Sequence, residues 1–185
     1  MRILLACSLL LAVACGAAKP STKLSPPLTA EQAKSFESGV DFVASLEGIE
    51  GRWRDDWDKD LETRVTSADV IALVTVRTLR TDTDPEQKVT HRLLARVDRE
   101  LVGKAGKEIE LAVKADEIGF NSVHDNLGRM GDKQFVAYLR RGPESLHWHL
   151  SPASDQVVTE TESRITQLQR GPSKGTGERV IVHTN

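Results

Sequence analysis

The chain has 185 residues, 39% of them hydrophobic and 28% charged, with a formal net charge of −2. That suits one folded domain with appendages and excludes a wholly disordered chain. The slightly acidic balance argues against a nucleic-acid partner, which calls for a basic surface.

Met1-Arg2 opens the chain with a positive charge, and Ile3 to Val13 is an apolar run interrupted by Cys7 and Ser8. The run is too short to span a bilayer as a mature helix and has the layout of an export signal. It ends in Ala12-Val13-Ala14-Cys15-Gly16, which resembles the lipobox of bacterial lipoproteins. The resemblance implies cleavage by signal peptidase II before Cys15, a diacylglycerol on its thiol and an acyl chain on the new amine. Gly16, where Asp would retain a lipoprotein at the inner membrane, implies the outer membrane, with the body in the periplasm. The alternative is an ordinary cleaved signal that releases the protein. Leu4-Leu5-Ala6-Cys7 is a poorer lipobox, because cutting there leaves almost no apolar segment. The chain has two cysteines, and both lie in this leader. The body therefore lacks thiols for a disulfide, a nucleophile or a cysteine metal site. Two or more acyl chains anchor stably where one is marginal.

Residues 1–14 are thus expected to be a signal peptide and 15–28 the lipidated Cys with a Pro-rich tether. Pro20, Pro26 and Pro27 stiffen that tether, and extended geometry at about 3 Å per residue gives a reach of roughly 40 Å. Residues 29–66 read as two amphipathic helices. Thr29-x-x-Gln32 has the capping-box pattern, and Ala33, Phe36, Val40 and Val43 recur at helical spacing up to Gly48. The second helix covers about 50–65, with Trp53, Trp57, Leu61 and Val65 on one face and acids on the rest.

The period changes at Ser67. Val70, Ala72, Val74 and Val76 alternate with Ile71 and Leu73, so this strand is apolar on both faces and calls for cover on both. A turn follows at Thr81 to Glu86. Leu93, Ala95, Val97 and Leu101 alternate with charges, as do Ile109, Leu111 and Val113 after Gly103–Gly106. A long loop runs from Asp116 to Asp132. Gln134–Arg140 and Leu146–Leu150 are the next strands, and Val157-Val158 suggests a short further one. Residues 160–169 fit a helix or a loop, and 171–185 read as a mobile tail in which Val180–Val182 could form an edge strand.

Five or six short strands with a long connection between the third and fourth predict an α+β, mainly β, fold. It is a small antiparallel barrel over 67–170, preceded by the two helices. Ala68-Asp69-Val70-Ile71, Val97 to Gly103, and the run Gly131-Asp132-Lys133-Gln134-Phe135-Val136-Ala137-Tyr138-Leu139 resemble OB-fold-like envelope domains, including netrin-like ones. The resemblance spans about residues 67–152 and implies an OB-like barrel, with binding on one face.

No H-E-x-x-H, P-loop or G-x-G-x-x-G pattern is present, and the one G-x-S-x-G spelling, Gly171 to Gly175, falls in the Gly/Pro/Ser/Lys-rich tail and not at a strand-to-helix elbow, so the chain reads as a non-enzyme. A Ser-His-Asp set assembled from distant residues stays open. His147 and His149 lie two apart on a strand and are weak metal candidates, with His91, His124 or His183 as a third ligand. Leu146, Trp148 and Leu150 claim the apolar face, which sends both His to a solvated face. Asp56-Trp57-Asp58-Lys59-Asp60 imitates a calcium loop, but Leu61 stands where that loop needs Gly, so a solvated helix face is expected. Arg140-Arg141 reads as a strand-end feature. The 116–132 loop exceeds a plain connector. Ile118, Phe120, Val123 and Leu127 could plug the barrel end, and Phe120, Asn121, His124, Asp125 and Arg129 could offer a binding surface. Trp53 and Trp57 are the other binding candidates. The reading is a lipid-anchored envelope module that docks a protein partner. The alternative is a small-ligand or glycan carrier, and an envelope hydrolase ranks last. No cofactor is implied beyond the lipid on Cys15.

Overall fold

The computed structural model describes residues 26–143 and 145–171. In chain order these form α1 (Ala30–Lys34), β1 (Glu37–Val40), a 3-10 turn at Leu46–Gly48 and α2 (Arg52–Ser67). Then come β2 (Val70–Thr83), β3 (Val89–Val102), β4 (Glu108–Lys114), α3 (Phe120–His124) and α4 (Leu127–Met130). β5 (Gln134–Arg141), β6 (Leu146–Pro152) and α5 (Asp155–Arg170) complete the body. The fold is α+β. Among the described residues the strands make one six-stranded mixed sheet in the order β1-β6-β5-β2-β3-β4, antiparallel except that β1 runs parallel to β6.

The expected closed antiparallel barrel is corrected in two respects: the sheet curls but does not close, and the added edge strand β1 runs parallel to its neighbour. No β-ladder joins β4 to β6. The Trp148 indole bridges the seam instead, its Nε1–H donating to the Ala112 carbonyl at 2.9 Å. An indole that spans two strands fills volume that direct pairing would squeeze out, and it satisfies its own donor in doing so.

Both faces of the sheet are covered, as the doubly apolar β2 predicts. Val70, Ala72, Val74 and Val76 face the concave core with Leu93, Leu111, Phe135, Ala137, Trp148 and Leu150. Val123 and Met130, from α3 and α4, cap that core. Ile71 and Leu73 face the other way, with Val136 and Tyr138, and meet Trp57, Leu61 and Val65 of α2 and Val157 and Ile165 of α5. The Tyr138 hydroxyl bonds to Thr161 Oγ1 at 2.8 Å, which satisfies the buried hydroxyl that β5 sends into this layer.

The first predicted helix is the larger correction. The capping box at Thr29 and Gln32 forms as read, but α1 ends after one turn and residues 37–40 pair with β6 as a strand. Ser38 sits at φ 49°, which breaks the helix. Gly39 and Gly119 let two backbones touch: a Cβ on Gly119 would lie 2.0 Å from the Glu37 carbonyl oxygen. Pairing to an open sheet edge thus overrides a helical apolar spacing. The short strand expected at Val157-Val158 is instead the first turn of α5. Ser154 caps it, its Oγ accepting the Val157 N–H, and Val157, Thr161 and Ile165 face inward at helical spacing.

Candidate functional site

The two tryptophans of α2 part company. Trp57 packs under the sheet at 7% exposure, whereas Trp53, one turn earlier, is 78% exposed. Among the described residues the buried Nε1 of Trp57 has no hydrogen-bond partner. Three acids of this helix are held by neighbouring side chains. Asp58 receives Arg54 and Arg164, Asp60 receives Ser35 Oγ, and Asp56 lies 3.5 Å from Arg52.

The 116–132 segment folds into α3 and α4 and splits its predicted residues between two places. Val123 is buried and Phe120 and Leu127 pack on the concave core, as a plug requires, but Ile118 is 76% exposed. Phe120 stacks on buried His91 with ring centroids 4.8 Å apart, and His124 stacks on both. His91 Nε2 lies 3.0 Å from His124 Nδ1, and its Nδ1 lies 2.9 Å from Thr81 Oγ1. Burial, with the neighbouring His124, holds His91 below the usual imidazole range. Asn121 and Asp125 stay on the exposed side.

The two histidines of β6 differ from expectation. They do not share a solvated face, because α2 and the β1 connection cover that side of the strand. His149 is buried, and its Nε2–H donates to Asp41 Oδ2 at 2.9 Å. Ser151 Oγ donates to the same oxygen at 2.7 Å, and the Arg64 guanidinium approaches it at 3.4 Å. His147 turns instead towards Gly142 and a groove beside Ile118. Among the described residues no three His, Cys, Asp or Glu side chains are placed to share a metal. His183 lies outside them.

Ser151, His149 and Asp41 contain the residue types of a hydrolytic triad, but their wiring is different. Hydroxyl and imidazole both donate to the carboxylate, so the Ser151 proton is not directed at an imidazole base. Ser151 is also 1% exposed. The cluster ties β1 to β6 and to α2. Burial alone would raise Asp41, but the bonds from His149 and Ser151 and the charge of Arg64 outweigh it and leave the carboxyl below its ordinary value. His149 itself is lowered, by burial first and then by Arg64.

Arg140 is not a free strand-end cation. It donates to the Ser67 and Pro26 carbonyls and pairs with Asp69. This fastens the chain where it enters the body.

The concave surface with the most distinctive chemistry lies where the α4–β5 turn meets the β6–α5 connection. It is an open cleft of about 560 Å³. Phe42, Phe135, Pro152 and Ala153 form an apolar floor, and Arg129 and Lys133 stand at the rim. The rings of Phe42 and Phe135 meet edge to face at 6.5 Å. Of the binding candidates named from the sequence, only Arg129 reaches this cleft. Phe42 was missed because its segment reads as helix rather than as the exit of a strand. Lys133 was missed because a lone Lys in a turn carries no pattern. Compared with family models and with curated proteins, the chain matches none.

Proposed function

We propose that this chain is a lipid-anchored lipoprotein of the bacterial cell envelope, acylated at Cys15 and held at the outer membrane with its body in the periplasm. The body serves as a binding module of a larger envelope complex, without catalysis and without a cofactor. The Ala12–Gly16 lipobox and the proline-bearing tether support the anchor. An OB-like kinship fits as well: the order β6-β5-β2-β3-β4 is that of a five-stranded OB barrel left open between its third and fifth strands.

The observation that carries the partner is Trp53. The costliest apolar side chain to leave in water stands 78% exposed on α2, one turn from the Trp that anchors the same helix. Native membranes carrying the full-length lipoprotein, solubilised in mild detergent and read by mass spectrometry, test this. A stoichiometric membrane-protein partner is expected with wild type and lost with Cys15→Ala or Trp53→Ala. A partner-free monomer in all three would reject the assembly role.

A second reading, a small-ligand carrier, is favoured by the cleft. An apolar floor with a few polar groups at its rim is the usual make-up of a small-molecule site.

A further inference from the structure

We infer that the cleft between the α4–β5 turn and the β6–α5 connection binds a small molecule with a flat apolar body and one anionic head group. The body would lie against Phe42, Pro152 and Ala153, backed by the buried Phe135, and Arg129 and Lys133 would hold the head. The inference rests on the ligand-carrier reading above and gives it a site and a chemistry.

Charge is the first reason. The cleft lining holds two cations and no Asp or Glu, on a chain whose net charge is −2. Most other arginines of the body, Arg64, Arg77, Arg92 and Arg164 among them, have a carboxylate within 4 Å, whereas Arg80, Arg141 and Arg170 have none among the described residues and do not line this cleft. Among the described residues neither Arg129 nor Lys133 has such a partner. Asp98, which Gln134 of the lining touches, is itself held by Arg96. Two cations on one cleft wall with no carboxylate beside them raise the local positive potential, and an anion bound in the cleft relieves it.

Positioning is the second reason. Asn126 Nδ2 donates to the Ser122 carbonyl at 2.9 Å, which orients the amide. Its Oδ1 then accepts from an Arg129 terminal nitrogen at 2.9 Å. The guanidinium carbon lies 4.3 Å from the centre of the Phe42 ring. Arg129 is therefore fixed from one edge and one face before any ligand arrives, and its other N–H donors remain for a planar oxyanion. The floor supplies the rest. The Phe135 ring, 2% exposed, cannot move without disturbing the core, and its edge-to-face contact with Phe42 presents a shaped apolar surface. The volume lies within the range of small-molecule sites.

Titration calorimetry on the soluble chain from residue 16 onward, without the lipidated Cys15 and with every described residue, tests this with three probes of one shape. These are 2-naphthoate, 2-naphthylmethanol and 2-naphthylmethylammonium. Naphthoate is expected to bind tightest and the ammonium weakest. Arg129→Gln and Lys133→Gln, both exposed changes that leave Tm in place, are each expected to weaken naphthoate by about three- to tenfold and to leave the alcohol unchanged. Lys107→Gln, in the β3–β4 turn, is expected to change neither. Equal binding of all three probes, unaffected by the two substitutions, would overturn the anionic class while leaving a ligand site. No binding of any probe would overturn both the class and the ligand-carrier reading.

Discussion

At the scale of single residues, the two tryptophans of α2 show how little separates anchor from surface. Trp53 and Trp57 are one turn apart and share a stripe, yet the body ends between them. Trp57→Ala removes an indole from a packed layer and is expected to cost about 3–5 kcal/mol. Trp57→Phe keeps most of the volume and removes a buried N–H that has no described partner, so it is expected to cost under about 1.5 kcal/mol. Trp53→Ala is expected to stay within about 0.5 kcal/mol. Urea melts of the three variants check the order. A Trp53→Ala loss as large as that of Trp57→Ala would place both indoles in the core.

At the scale of elements, β1 is decided by the edge it joins. Its four residues gain ladder bonds to β6, close contact of Gly39 with Gly119, and the Asp41 carboxylate just beyond it. That carboxylate gathers His149, Ser151 and Arg64 and so links β1, β6 and α2. The link is sensitive to acid. The folded pKa of His149 lies below its ordinary 6.5, so the unfolded chain takes up a proton that the folded one refuses. The stability this contributes is complete above about pH 6.5 and falls away as the pH drops below it. Asp41, held below its ordinary 3.8, adds a loss of the same sign at lower pH. His91, also depressed, acts in the His149 window. Tm is therefore expected to fall between pH 7 and pH 5, and to fall less in His149→Gln, which keeps a donor for Asp41 without the titration. An equal fall in both proteins would remove His149 from this account.

At the scale of the whole molecule, the body is a curled sheet with a helical layer on its convex face and a plug at its seam. No helix among the described residues is long and apolar enough to cross a membrane. The lipid anchor is thus a separate claim about the leader, and it has its own measurement. Metabolic labelling with palmitate is expected to tag the wild type and not Cys15→Ala, with the variant leaving the membrane pellet. Label retained by the variant would move the anchor to Cys7, and no label in either would favour the ordinary cleaved signal. Pro26, held by Arg140, marks where the tether would join the body.

The sequence by itself determined what depends on local period and composition. The strand periods of β2 to β6, the cap at Thr29, the doubly covered central strand and the absence of thiols from the body follow from neighbouring residues and their spacing. The α5 helix was half legible, because Val157-Val158 suits a strand as well as a helix until the Ser154 cap is seen to engage. Tertiary structure alone decided the rest. Whether residues 37–40 are helix or strand depends on a free edge more than a hundred residues away. Whether His149 meets water or Asp41 depends on what lies over β6. The cleft draws Phe42, Arg129, Lys133, Phe135 and Pro152 from separate elements, so no spacing in the chain announces it. Periodicity reports which way a side chain points, but only the packed body settles what stands opposite.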